Sequence, residues 1–513
     1  MIEMELKLLL DDAGAEKLRK AATARGARPE NSTLLTRYFD TAEKALGRAG
    51  IALRMRREKR RWTQTVKVRE RHTGGLSSAR EADAPAPGGR IDIARIPEED
   101  LRLAVEDAVN GHDLAPVFET DIKRARFRLS PDGTSQVELA IDLGEIRAGD
   151  RSALHREAEF ELISGDPGAL FTAARGLIPE GGLVFSTRSK AERGALLAAE
   201  GRIGDPTEPR KSRVTPLDPD MTAEAAAQAV LAECLDQVAA NAEAVRAGDD
   251  PEGPHQLRIG LRRLRSALKL WRGPLGGGWL ADLEGEARWL GAEVGRLRDL
   301  DVTLHDLVAP AARAAPDEPG FAPLAAAVEA RAGIERAHLR ETLRGPRVQG
   351  FLFDLSEFIA LRRWLDPSDH EQTGRLAEPI SVLAARELDA VWHRAARRAK
   401  GIDHLDIEAR HELRKALKTL RYAVEFFAPL ASGKKVAAVV KPLRALQDLF
   451  GNLNDLAMAE AMFMTEDAFA GGNPAAARAA GRVIGARAAL AEEDWQTARD
   501  RWHALKSVKP FWR

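Results

Sequence analysis

Apolar and polar residues alternate without a slip where the chain begins. Ile2, Met4, Leu6 and Leu8 fall on one side of a strand, and Glu3, Glu5 and Lys7 on the other. The same period of two returns at Ile51–Arg56, Trp62–Arg69, Phe118–Leu129, Gln136–Ile146 and His155–Leu162, and Leu35–Asp40 predicts a further strand. Helical spacing replaces it at residues 12–26, 97–109 and 167–178, and Ser189-Lys190 opens another helix. Gly74-Gly75 marks a turn before Ala79-Arg80-Glu81, and a Pro/Gly-rich loop covers residues 85–89.

The pattern changes near residue 200. Residues 201–221 contain Pro206, Pro209, Pro216 and Pro219 and little apolar material, so neither helix nor ladder is expected there. Beyond this linker the period is 3.6 almost throughout. The chain therefore divides into a strand-rich part (1–200), a linker (201–221) and an all-helical part (222–513). With 513 residues, more than one core is expected in any case.

The helical part contains a repeat. His255-Gln-Leu-Arg258-Ile-Gly-Leu261-Arg262-Arg-Leu264-Arg265 aligns with His411-Glu-Leu-Arg414-Lys-Ala-Leu417-Lys418-Thr-Leu420-Arg421. The register continues without a gap, placing Trp271 on Phe427, Leu290 on Leu446 and Asp299 on Asp455. Duplication of a helical unit accounts for this better than chance likeness of two amphipathic helices.

Composition adds bounds. Lys+Arg and Asp+Glu both number 78, so whole-chain charge points to no partner, and any anion site must come from local segregation. The single cysteine, Cys234, rules out an intramolecular disulfide and fits a reducing compartment. No apolar run reaches the ~18 residues of a spanning helix. Acidic Glu3 and Glu5 stand where a signal peptide would be basic, so a cytoplasmic protein without membrane attachment is expected.

Local segregation is what the strands display. Acids share a face in Glu3/Glu5, Glu138/Asp142 and Glu157/Glu159/Glu161; bases do so in Arg54/Arg56, Lys67/Arg69 and Arg124/Arg126, with Lys7 beside the first acids. For one strand alone, a half-exposed sheet with a charged wet face is the better account. Solvated faces, however, mix Ser, Thr, Gln and Lys, whereas these use Glu and Arg almost exclusively, with the sign grouped by strand. That grouping suits an enclosed cavity that holds a hard divalent cation on carboxylates and phosphate oxygens on guanidinium and ammonium groups. His72, His112 and His155 are expected at the surface.

Glu3-x-Glu5-x-Lys7 resembles the signature of the CYTH superfamily of triphosphate tunnel metalloenzymes. Tyr38-Phe39-Asp40-Thr41, Leu53-Arg54-Met55-Arg56, Gln64-Thr65-Val66-Lys67, Arg80-Glu81, Glu138–Asp142, Glu159–Leu162 and Ser189–Gly194 match in order. The resemblance implies an eight-stranded antiparallel closed barrel with flanking helices. It also implies hydrolysis or rearrangement of a triphosphate with Mg²⁺ or Mn²⁺. It assigns catalysis to Glu3, Glu5 and Lys7, and metal binding to Glu3, Glu5, Glu157, Glu159 and Glu161, with Glu138 as a further candidate. Substrate binding falls to Lys7, Arg54, Arg56, Lys67, Arg80, Arg124, Arg126 and Lys190.

Projected at ~100° per residue, His255, Arg258, Arg262, Arg265 and Lys269 form a basic stripe beside a leucine face, and His411, Arg414, Lys418 and Arg421 repeat it. A single-sign stripe repels itself by a few tenths of a kcal/mol per pair, which suggests that an anion lies there. The alternative is pairing with Asp299, Asp301 or Asp455 of other helices. These residues resemble the CHAD domain, implying two pseudo-symmetric helical bundles and binding of inorganic polyphosphate through the nine stripe residues. Nucleic acid is disfavoured, because no aromatic–basic interleaving accompanies the stripe. Residues 310–405 read only as scaffold, and Trp495, Trp502 and Trp512 as core or docking residues.

The leading expectation is an α+β two-domain inorganic triphosphatase that splits tripolyphosphate to diphosphate and phosphate and carries a polyphosphate-binding module. Association with polyphosphate granules is a corollary. Another triphosphate (thiamine triphosphate, or ATP hydrolysed or cyclised) and a non-catalytic polyphosphate-binding protein are the alternatives.

Overall fold

A computed structural model describes residues 2–181, 184–203, 208–465 and 473–513, with side chains left aside at residues 2, 69–72, 464 and 465. Part of the expected linker, residues 204–207, lies outside the described residues, as do the side chains of Arg69 and His72. The chain separates into two compact units. One comprises residues 1–207 together with 344–363, the other 208–343 together with 364–513.

The first unit is a closed barrel. Its strands are β1 (Ile2–Leu9), β2 (Glu30–Asp40), β3 (Ile51–Glu58), β4 (Arg61–Thr73), β5 (Leu76–Pro85), β6 (Ala115–Leu129), β7 (Gln136–Ala148) and β8 (Arg151–Ser164). They run antiparallel in the order β5-β4-β3-β2-β6-β7-β8-β1, and pairing of β1 with β5 closes the ring. A two-residue strand, β9 (Val184–Phe185), adds to β1. Closure removes both sheet edges. It also turns the odd positions of β1 inward, with Leu6 and Leu8 fully buried on the outer side.

Helices α1 (Asp12–Ala24), α2 (Ala45–Arg48), α3 (Glu99–Val109) and α4 (Gly168–Leu177) flank the barrel. Helix α3 seats Leu101, Val105 and Val109 on Leu53, Val66 and Ala82 of the strands. A further helix, α5 (Lys190–Glu200), starts with a full capping box between Ser189 and Glu192 and turns Lys190, Arg193, Gly194 and Leu197 inward. Leu197 packs with Tyr38 and Phe118, which stack at 4.4 Å. A Cβ on Gly194 would lie 2.1 Å from the Phe118 ring, so this close approach requires glycine.

The second unit is helical: α6 (Ala223–Ala247), α7 (Glu252–Leu270), α8 (Arg272–Leu275), α9 (Gly278–Val302), α10 (Ala309–Ala314) and α11 (Phe321–Arg344). After α12 (Pro346–Ala360), which belongs to the first unit, follow α13 (His370–Ala377), α14 (Ile380–Arg398), α15 (Ile407–Phe427), α16 (Gly433–Thr465) and α17 (Pro474–Ser507). The repeat is realised as helices that start at matching positions to within a residue, α6-α7-α9 against α14-α15-α16. The two copies meet: the rings of Trp271 and its repeat equivalent Phe427 lie 5.2 Å apart, and Thr222 bridges Pro379, one position past its own equivalent. Contact of a residue with its own repeat partner places a pseudo-two-fold axis there. Trp495 and Trp502 are buried core residues. No helix among the described residues is long and apolar enough to cross a membrane.

Candidate functional site

Strand register decides which charges meet in the barrel. Glu5 lies opposite Glu161, and Glu161 opposite Glu138, so three acids form a row across β1, β8 and β7. The next row pairs Lys7 with Glu159, and beyond it Asp142 with Glu157. Arg124 faces Asp142 from β6. Lys67 faces Glu81 across β4 and β5.

Around Asp142, Glu157 and Glu159 the charges are saturated. Lys190 Nζ reaches Glu157 at 2.6 Å, Glu159 at 2.7 Å and Asp142 at 3.0 Å. Arg124 grips Asp142 with two donors at 2.7 and 2.6 Å and Glu159 at 2.6 Å. Ser186 Oγ donates to Glu157 at 2.6 Å. Burial alone would depress Lys190; the three carboxylates outweigh it and hold the ammonium well above its usual value. Glu157 and Glu159, buried likewise, are held below the carboxylate range by these cations, Lys190 foremost. Both are named above as metal ligands; in the structure their oxygens meet Lys190, Arg124 and Ser186, as those of Glu3 and Glu5 meet Lys67 and Lys7.

At the other end Lys67 Nζ gathers Glu3 at 2.5 Å, Glu5 at 2.9 Å and Glu81 at 3.5 Å. Arg54 binds Glu81 at 2.7 Å, and Lys7 binds Glu5 at 2.8 Å. Burial and the neighbouring Glu5 push Glu3 up to about 8. Burial would raise Glu5 too, but Lys7 and Lys67 prevail and hold it low.

Two lumen charges have no partner among the described residues. Glu161 makes no hydrogen bond or ion pair, and burial with Glu138, Glu5 and Glu159 nearby raises its pKa. Arg56 likewise has no acid partner; its Nε is buried and unbonded. Burial, with Arg54 and Arg124 close by, drives it down to about 10. One orphan is an acid and the other a base, so the lumen as folded lacks a cation at one point and an anion at another.

Most sequence-named residues come together here: Glu3, Glu5, Lys7, Arg54, Arg56, Lys67, Arg124, Arg126, Glu157, Glu159, Glu161 and Lys190. Arg126 lies 3.3 Å from Glu58. Arg80 does not join them. It lies opposite Val68 and Ile2, on the outer face, and pairs with Asp100 of α3. The inward residue of that dipeptide is Glu81, which meets Lys67 and Arg54 and to which the spacing assigns no role. His155 is not at the surface: it is 2% exposed, 3.5 Å from Glu157. Its parity with Glu157, Glu159 and Glu161 was the available signal.

In the helical unit, α7 packs against α15 and brings the two stripes face to face. Arg258 is paired with Asp299 at 2.6 Å, Lys269 lies 3.5 Å from Glu284, and Arg421 lies 3.6 Å from Glu425. The side chains of Arg262, Arg414 and Lys418 make no hydrogen bond or ion pair among the described residues. Burial, reinforced by Arg262, Arg414, Arg258 and Arg421, drives Lys418 down to about 6. Arg414 falls to about 10 through burial and Arg262. Burial also lowers His255, His411 and Arg265. Of the alternative acid partners, Asp299 takes Arg258, Asp301 pairs with Arg336, and Asp455 lies near Arg414 and Lys418 without an ion pair among the described residues. Arg298 of α9, which lowers His255, is a cation that spacing along one helix could not reveal.

Residues 1–195 match the CYTH domain family, and residues 229–463 the CHAD domain family. An inorganic triphosphatase of Haemophilus influenzae is 32% identical over 205 residues, spanning 40% of this chain and 57% of that protein, just over half its length. The crystal structure of the CHAD domain from the plant Ricinus communis covers 59% of this chain and 98% of its own at 29% identity, with a TM-score of 0.50. A putative adenylyl cyclase from Hippeastrum, described as having a dominant triphosphatase activity, covers 39% of this chain and 96% of its own at 19% identity and TM-score 0.30, too slight a likeness to carry weight. The chain thus joins a CYTH domain at its N-terminus to a CHAD domain at its C-terminus.

Proposed function

We propose that the barrel hydrolyses inorganic tripolyphosphate to diphosphate and phosphate, and that the helical unit binds long-chain inorganic polyphosphate. The observation that carries the first statement is the pair of orphan charges, Glu161 and Arg56, in one lumen lined by both signs. A metal-bound triphosphate supplies the cation and the anion that they lack. The inorganic triphosphatase relative is consistent with this substrate.

Glu161, Glu138, Glu5 and Glu3 offer hard oxygen donors, which fits Mg²⁺ or Mn²⁺. No three acidic, histidine or cysteine side chains among the described residues converge as a ready ligand set. Few carboxylates would hold the ion, because Glu3 and Glu5 already meet Lys67 and Lys7, with phosphate oxygens completing its shell, as Mg²⁺ commonly prefers. A bound divalent ion would withdraw charge from the phosphoryl group under attack. Arg56, Arg54, Arg124 and Arg126 orient the chain of phosphates, while Lys7, Lys67 and Lys190 neutralise it. Hydrolysis then needs positioning and charge stabilisation rather than a side-chain nucleophile.

For the helical unit the supporting observation is that Arg262, Arg414 and Lys418 are half-buried cations facing one another with no ion pair among the described residues, Asp455 and Asp299 offsetting only part of their repulsion. A polyphosphate chain brings spaced negative charge and no base edges, matching what this surface offers.

The test is phosphate release from tripolyphosphate, ATP and long-chain polyphosphate by the purified protein, with and without Mg²⁺ or Mn²⁺. Metal-dependent release from tripolyphosphate is expected. Glu5→Gln should lower it by about two to three orders of magnitude with an unchanged circular dichroism spectrum. Unchanged turnover in that variant removes the lumen from consideration. Anion binding with no turnover at any metal concentration makes the barrel a binding module.

A further inference from the structure

Helix α12 comes from the middle of the second half of the sequence, yet it completes the barrel unit. Its buried face meets three separate elements there. Ser356, fully buried, donates to the carbonyl of Thr73 at 2.9 Å, where β4 turns into β5. Phe353 stacks on Phe185 of β9, with centroids 5.4 Å apart and planes at 26°, and meets Phe171 of α4 edge-on at 6.1 Å. Arg175 of α4 lies over both Phe171 and Phe353 and binds Glu357 at 2.8 Å.

These contacts bracket the seam where β1 closes the barrel. The Lys7 amide donates to the Gly75 carbonyl at 2.9 Å, and the Ser186 amide donates to the Lys7 carbonyl at 2.9 Å. The backbone of Lys7 is thus held between the two segments that α12 touches. The Phe185 ring crosses so near the chain that a Cβ on Gly75 would lie 2.4 Å from it. A strand as short as β9 has little stability of its own. Directly after it come Ser186, whose hydroxyl holds Glu157, and Ser189, which caps the helix that delivers Lys190.

We propose that α12 is a clamp on the barrel seam, with Phe353 and Ser356 as positioning residues that set Lys7, Glu157 and Lys190 for reaction. The catalytic part of this statement rests on the reading of the lumen as the triphosphatase site; the clamping part does not. No residue of α12 needs to reach the lumen for the device to work. Its action runs through Phe185 to Ser186, and through Thr73 to Gly75.

Hydrogen–deuterium exchange and tripolyphosphate turnover of the full-length protein test the two parts separately. In Phe353→Ala, exchange of the Lys7 and Ser186 amides should accelerate at least about tenfold, while β6 and β7 keep their protection. The kcat for tripolyphosphate should fall about tenfold, and Phe353→Leu should recover most of it, because misplacement rather than loss of a reacting group is the cause. Should Phe353→Ala not fold, Ser356→Ala carries the test, with faster exchange at residues 73–77 and a smaller drop in kcat. Unaltered exchange at Lys7 and Ser186 overturns the clamp. Accelerated exchange with unaltered kcat overturns the positioning role. Faster exchange in a protein whose wild type turns over no tripolyphosphate upholds the clamp and sinks the triphosphatase reading instead.

Discussion

Lys190 is buried and Lys418 half-buried, and their surroundings push them in opposite directions. Lys190 sits among Glu157, Glu159 and Asp142 and is held well above its ordinary value. Lys418 sits among Arg262, Arg414, Arg258 and Arg421 and drops to about 6. Burial opposes the charged form in both; the neighbours decide the outcome. The barrel has thus built most of its counter-ions into the chain and, among the described residues, left one acid and one base over. The helical stripe has built in fewer: Arg258, Lys269 and Arg421 have acids, while the side chains of Arg262, Arg414 and Lys418 make no ion pair among the described residues. In the lumen a ligand must therefore compete with existing pairs, whereas on the stripe it relieves repulsion.

The sharpest way to break this contrast is to remove each lysine. Lys190→Met leaves three buried carboxylates short of a cation and should destabilise the barrel by about 3–5 kcal/mol in denaturant melts. Lys418→Met removes a repelled charge, so the helical unit should be equally or more stable without anion. Equal losses in the two variants would erase the distinction.

A pH titration sharpens it next. Unfolded, Lys418 takes a proton near its ordinary 10.5; folded, it does so only near 6. Between those values the unfolded chain binds more protons, so stability should rise with pH through the window and be lowest below it. Bound polyphosphate favours the charged form, so its affinity should fall roughly tenfold between pH 6 and 8, with proton uptake visible by calorimetry in buffers of different ionisation enthalpy. Lys418→Met should flatten both trends.

Two substitutions on one stripe give the smaller effects. Arg262→Ala removes a cation without an acid partner and should weaken polyphosphate binding about three- to tenfold in a titration at fixed salt. Lys269, already facing Glu284, should tolerate alanine within about twofold. The reverse order would mean that the unpaired side chains are not where the anion lies.

Reading the sequence worked where the signal was local and failed where it was not. The parity of β1, β3, β4 and β8 was visible because apolar residues alternate with charges. It was faint at Ala79-Arg80-Glu81-Ala82, where small residues on both sides mark neither face. There the sequence points Arg80 inward, while the closed sheet turns Glu81 inward and Arg80 toward Asp100. His155 shared the phase of three glutamates but was judged alone. The helical spacing of α12 was legible, whereas its place against Phe185 and Thr73 was not, since nothing in residues 346–360 names partners more than a hundred positions away.

The amino-acid order alone determined the strand and helix periods, the point near residue 200 where one gives way to the other, the duplicated helical unit, and the segregation of acids from bases. Covalent geometry carries these, because side-chain direction repeats every 2 or 3.6 residues whatever the chain later packs against. Tertiary structure alone decided which acid is neutralised by which base, which two charges are left over, and which helix clamps the seam. Those outcomes depend on register and closure, and both bring together residues that no spacing along the chain connects.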